Sequence, residues 1–90
     1  MDINIGDNVR WESQALGCYT SKKGTVIAIL PPDEDAFPYL PMDTKKSHIK
    51  FQNRSSIKRV LVKVMAGANH DIAHYYAPRV SVLEKVGDSI

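Results

Sequence analysis

The sequence holds one cysteine, Cys18, and one tryptophan, Trp11. A lone cysteine excludes the paired-thiol framework that staples small secreted domains, and a small buried thiol is its ordinary role. No apolar run approaches the roughly 20 residues that cross a bilayer. The start, Met1-Asp2-Ile3-Asn4, has neither the basic residues nor the apolar core of a signal peptide. These absences predict a cytoplasmic protein with no membrane segment. There is no repeat, no low-complexity tract and no catalytic signature. No cofactor is implied, and no pair of ligands has the spacing of a zinc site. A chain of 90 residues is one domain, and its modest size demands a compact core.

What is present is a stretch that organises the rest, Lys22-Lys23-Gly24-Thr25-Val26-Ile27-Ala28-Ile29-Leu30-Pro31. It reads as a glycine turn launching a β-branched strand, which stops where Pro31 has no N–H for a ladder. Before it, Asp7 to Ser13 alternates polar and apolar, with Val9 and Trp11 on one face, as in a half-buried strand. Ser13 to Ser21 reads as a loop or irregular hairpin around Gly17. From Pro31 to Ser47 there are four prolines, the acidic triplet Asp33-Glu34-Asp35, and the aromatics Phe37 and Tyr39. That composition excludes a regular element, and loops of this length are usually functional or mobile.

Further on, Ile49 to Phe51 is a candidate short strand. Ser56 to Met65 fits a helical stripe (Ile57, Val60, Leu61, Val64) as well as a strand (Val60, Val62, Val64), and its three valines favour the strand. His74-Tyr75-Tyr76-Ala77 and Ser81 to Val86 complete the set, with a turn at Pro78-Arg79-Val80 between them and residues 87–90 as a frayed tail. The expected architecture is therefore all-β, with five strands and a long loop after the second. Closure into a barrel or half-barrel is how such short strands avoid open edges. The expected core is Val9, Trp11, Val26, Ala28, Leu30, Val60, Val62, Val64, Val82 and Leu83.

Gly6-Asp7-Asn8-Val9-Arg10-Trp11, then Lys23-Gly24-Thr25-Val26-Ile27-Ala28-Ile29, then a hydrophobic strand and Val82-Leu83, resemble the SH3-like small barrels, closest to the KOW-type and tudor-like domains. The ending Tyr76-Ala77-Pro78-Arg79-Val80-Ser81, with Trp11-Glu12-Ser13-Gln14, also looks like small uncharacterised bacterial and phage proteins. The resemblance spans residues 6–86. It implies non-catalytic binding, since this barrel hosts nucleic-acid readers, peptide readers and adaptors. The 31–47 loop departs from a minimal barrel.

Charge points to candidate partners. Residues 1–44 carry seven acids against three bases, and residues 45–90 carry nine bases against three acids. Lys45, Lys46, Lys50, Arg54, Lys58, Arg59 and Lys63 fall within nineteen residues, near Tyr75 and Tyr76 if the strands pair. Cations neutralise phosphates and exposed rings stack on bases, so this set is the candidate contact to nucleic acid or a nucleoprotein complex. The competing explanation is a solvated outer strand face. A second candidate is an aromatic cage for a methylated cation, built from Trp11, Tyr19, Tyr75 and Tyr76 with Asp7 or Glu12. Trp11, however, shares a face with Val9 and reads as core.

A third candidate is protein binding through Asp33, Glu34, Asp35, Phe37, Tyr39 and Leu40, an acidic rim beside apolar anchors. On the phage resemblance the target would be a host factor or defence system. The same loop would serve equally well as a cap, with Phe37 and Leu40 as plugs. His70 and His74 are four apart, on one side of a strand but too distant to share an ion. The expected protein is a monomer or weak homodimer that is not an enzyme.

Overall fold

The alternation around Val9 and Trp11 builds β1 (Asn8–Ala15), in a computed structural model that describes residues 3–15, 18–66 and 72–86. Side chains of residues 13–15, 18–20 and 66 lie outside that description, as do Gly17 and the 87–90 tail. β2 (Cys18–Leu30), β3 (Arg59–Ala66), β4 (Ile72–Tyr76) and β5 (Glu84–Lys85) follow. All ladders are antiparallel, in the order β4-β3-β2-β1-β5, and no α-helix occurs among the described residues. The sheet is not closed: β4 and β5 are its two edges.

Of the two expectations for residues 13–21, a loop or an irregular hairpin, the described residues form the hairpin. β1 and β2 form a hairpin whose register runs from Asn8↔Thr25 to Ala15↔Cys18. Gly24 accordingly sits inside β2 rather than launching it. A Cβ there would collide with the Lys63 carbonyl oxygen and Val62 Cγ1, so the glycine permits close approach of β3. The left-handed glycine is Gly6, at φ +95°, in a turn closed by Asp7 N–H donating to the Asn4 carbonyl at 3.1 Å. β2 stops at Leu30, before Pro31, as expected.

The register between β2 and β3 slips from Val26↔Val62 to Ala28↔Leu61, leaving Ile27 as an extra residue in β2. Such a bulge inverts the alternation beyond it. Val26 therefore joins Val9, Trp11, Val60, Val62 and Leu83 on one face. Ala28 and Leu30 pack with Ala36, Leu61 and Tyr75 on the other. The core is double, and β3 is covered on both sides: Val60, Leu61 and Val62 are each 0 % exposed. Leu61 belongs to the core although simple alternation points it outward.

The second face is roofed by residues 31–58. Asp33 N–H donates to the Ser55 carbonyl (2.7 Å), while Asn53 takes the Ala36 and Phe37 N–H groups on its Oδ1, each at 2.9 Å. Leu40 and Phe51 pack against the second cluster, and Phe37 meets Phe51 edge to face at 5.8 Å. Residues 49–51 are not a strand: Ile49 makes a single parallel bridge to Tyr75. β3 starts at Arg59 instead of Ser56.

The expected strand over 81–86 begins instead in a 3-10 turn, Val80–Val82, and only Glu84–Lys85 pair, as β5. Residues three apart eclipse in such a turn, so Val80 and Leu83 face the core while Val82 is exposed. Val64 is half-buried and packs against the first cluster.

The first face is strongly curled. Trp11 on β1 and Tyr76 on β4 have ring centroids 5.8 Å apart, yet a flat sheet would separate their strands by about 14 Å. The three principal extents, 34 × 32 × 31 Å, agree with a curled sheet under a packed loop. No helix is long and apolar enough to cross a membrane.

Candidate nucleic-acid interface

Trp11 and Lys22 are paired across β1 and β2, and the curl carries both toward β4. There the Trp11 ring meets Tyr76 edge-on, and Lys22 Nζ stands 4.8 Å from the Tyr76 ring centroid. His74 lies two residues before Tyr76, hence on the same side of β4. The 3-10 turn Lys46–His48 delivers His48 to within 5.2 Å of His74, ring centre to ring centre. Beyond it, the Lys50 N–H donates to the Tyr75 carbonyl at 2.9 Å and fixes Lys50 beside the same strand.

The electrostatics follow from this convergence. The His74 imidazole is held below its ordinary value of 6.5, first by desolvation and then by the charges of Lys50, His48 and Lys22. Among the described residues, every charged group acting on it is basic. A site of that kind attracts anions.

Alongside runs a cavity of about 320 Å³ whose lining includes Trp11, Tyr76, Phe51, Lys50, Gln52 and Arg59. No carboxylate is among the described residues that line it. A second cavity, of about 350 Å³, has Arg10 already paired with Glu84 at 2.8 Å and also contains Glu12. Its acidic lining is unsuited to phosphate. Trp11 and Tyr76 are thus adjacent, as a cage requires, but the ammonium of Lys22, 4.8 Å from the Tyr76 ring centroid, and the charge of Lys50 repel a cationic ligand. Tyr75 faces the other way, Asp7 points to Lys85 at 3.4 Å, and the Tyr19 side chain lies outside the described residues.

The seven clustered bases are distributed unequally. Lys45, Lys46 and Lys50 are exposed on and beside the turn that carries His48. Lys58 is exposed just ahead of β3. Arg54 is exposed and paired with Asp35 at 3.0 Å. Lys63 is opposite the buried Tyr75 in the ladder, on the face away from Tyr76.

Arg59 is interior, at 5 % exposure. Its Nη1 and Nη2 donate to the carbonyls of Gln52 (2.6 Å) and Asn53 (3.3 Å), and its Nε–H has no partner among the described residues. Burial pulls the guanidinium below its ordinary value. Arg59 therefore positions the Gln52–Asn53 wall of the cavity instead of facing solvent. Tyr75, 7 % exposed, is a core residue of the second face. Tyr76 is half-buried and borders the cavity.

Lys22 and His74 are additions that the base cluster does not include. Lys22 comes from the acid-rich half of the chain, and only the pairing Trp11↔Lys22 brings it to Tyr76. Extending the alternation of Val26 and Gly24 backwards would have put Lys22 on the Trp11 face.

In the loop, Asp33, Glu34 and Asp35 are exposed, Phe37 and Tyr39 are 44 % and 42 % exposed, and Leu40 is half-buried on the second core. His70 lies outside the described residues. Among those described, no three His, Cys, Asp or Glu side chains converge as a metal site would need. Comparison with protein-family models, curated proteins and solved structures finds no match to the chain.

Proposed function

We propose that this chain is a non-catalytic binding module of the SH3-like small-barrel type, which contacts nucleic acid or a nucleoprotein complex. The curl and the antiparallel order β4-β3-β2-β1-β5 support the half-barrel reading. The contact surface is the face formed by Lys22, Lys46, Lys50, His48 and His74 around Tyr76. One observation carries this reading: basic groups from β2 and from the 46–50 segment converge on His74 of β4, beside an aromatic ring, with no acid among the described groups that act on it. Phosphates favour such a surface, and counterion release would make binding strongly salt-dependent.

The test is an anisotropy titration with labelled single- and double-stranded DNA and RNA across a range of salt. Four neutralised phosphates give a log–log slope of about −3 on single strands. The double variant Lys22→Glu/Lys50→Glu abolishes binding, whereas Lys63→Glu, on the opposite face, leaves it largely intact. No binding at low salt by any of the four probes overturns the proposal.

A protein-adaptor reading draws on the exposed rings of Phe37 and Tyr39 and on Met42, which is fully exposed. It predicts that Phe37→Ser/Tyr39→Ser removes a protein partner and spares nucleic-acid binding.

A further inference from the structure

The cavity between Trp11, Tyr76 and the 50–55 segment adds something that a merely basic surface lacks. Its volume, about 320 Å³, lies at the lower end of small-ligand pockets, which span roughly 300–1,000 Å³. Its lining includes the aromatic residues Tyr76 and Phe51 and the polar residues Gln52 and Ser55. Lys50 lines it, and Lys22 Nζ stands 4.8 Å from the centroid of the lining Tyr76 ring. Arg59 lines it too and retains one buried donor, Nε–H, with no partner among the described residues.

Aromatic walls, polar groups for a base edge and cations for a phosphate all meet in a space of one-ligand size. From this combination we propose that the cavity seats one unpaired nucleotide, its base against Tyr76 and Phe51 and its phosphate on Lys50 and Lys22. The inference rests on the nucleic-acid reading and narrows it, because a base held inside a duplex cannot enter. The partner is then single-stranded, or has a strand end or bulge. Stacking on an aromatic tolerates any base, so sequence preference is weak and comes from the edge facing Gln52.

The sole tryptophan borders the cavity and reports directly on its occupation. Three probes of one length separate the contributions: a single strand, the duplex of the same sequence, and a strand that keeps every phosphate but carries abasic sugars. Anisotropy gives affinity, and Trp11 emission gives entry to the cavity. The intact single strand binds about tenfold or more tighter than either other probe, and it alone changes Trp11 emission. Tyr76→Phe keeps the preference and Tyr76→Ala loses it, with thermal melts confirming that each variant is folded.

Equal affinity for the abasic strand, with unchanged Trp11 emission, overturns the nucleotide site while leaving the basic face standing. Failure of all three probes to bind at low salt overturns both. Because the abasic comparison needs no substitution, it decides the matter even if Tyr76→Ala does not fold.

Discussion

Three residues set testable chemistry. Arg59 is held by two main-chain carbonyls in the interior, and hydrogen bonds to a charged donor are worth about 1.5–3 kcal/mol. Arg59→Ala is expected to lower unfolding stability by about 2–3 kcal/mol in urea, and Arg59→Lys will not restore it, lacking the planar fork. Asp7 accepts the Asn4 N–H at 2.7 Å and faces Lys85, which together hold its carboxyl below the ordinary 3.8. A depressed carboxylate stabilises the fold above the unfolded value and loses that contribution as pH falls through the folded one. The melting difference between the parent and Asp7→Asn should therefore be present at neutral pH and vanish on titration below 3.8. His74 is held below 6.5 in the free protein, so a bound phosphate would raise it and binding would take up a proton. Affinity for single strands should rise as pH falls from neutral toward the free imidazole's lowered value, below 6.5, and His74→Gln should flatten that rise.

At the scale of elements, β3 and the middle of β2 carry the packing. A strand covered on both faces has no tolerant side, which is why Val60, Leu61 and Val62 are consecutive and all apolar. Leu61→Ala removes a fully buried side chain and should cost about 2–5 kcal/mol, as should a large truncation on the first face. Gly24→Ala forces a methyl against the Lys63 carbonyl and should cost about 1–3 kcal/mol despite its small size. Denaturant midpoints at constant m-value would check both. A neutral Gly24→Ala would show that β2 is not pinned against β3 there.

Over the whole molecule, the 31–58 segment works as a roof for the second core and as one wall of the cavity. Asn53 is the tie between its two halves. Asn53→Ala is expected to speed amide exchange at Ala36 and Phe37 and to weaken nucleic-acid binding through the displaced wall, while β1 and β2 keep their protection. Uniform loss of protection across the sheet would instead make the loop part of the global folding unit.

The all-β class, the strand stop at Pro31, the central strand and all six buried residues of the first-face core were legible in the residues themselves. Alternation and β-branching act locally, through side-chain direction and backbone preference. The tertiary structure alone decided the rest. The Ile27 bulge divided Val26 from Ala28 and Leu30, and the curl joined Trp11 to Tyr76 across two intervening strands. Pairing brought Lys22 from the acidic half into a basic site, and burial withdrew Arg59 and Tyr75 from the surface. Period-2 patterning fixes which residues share a side only until one residue is inserted, and it carries no record of which distant strand lies alongside. Charge counted along the chain likewise loses its meaning once antiparallel pairing interleaves the halves. The fold class was thus written in local pattern, and the site in contacts between residues far apart in the chain.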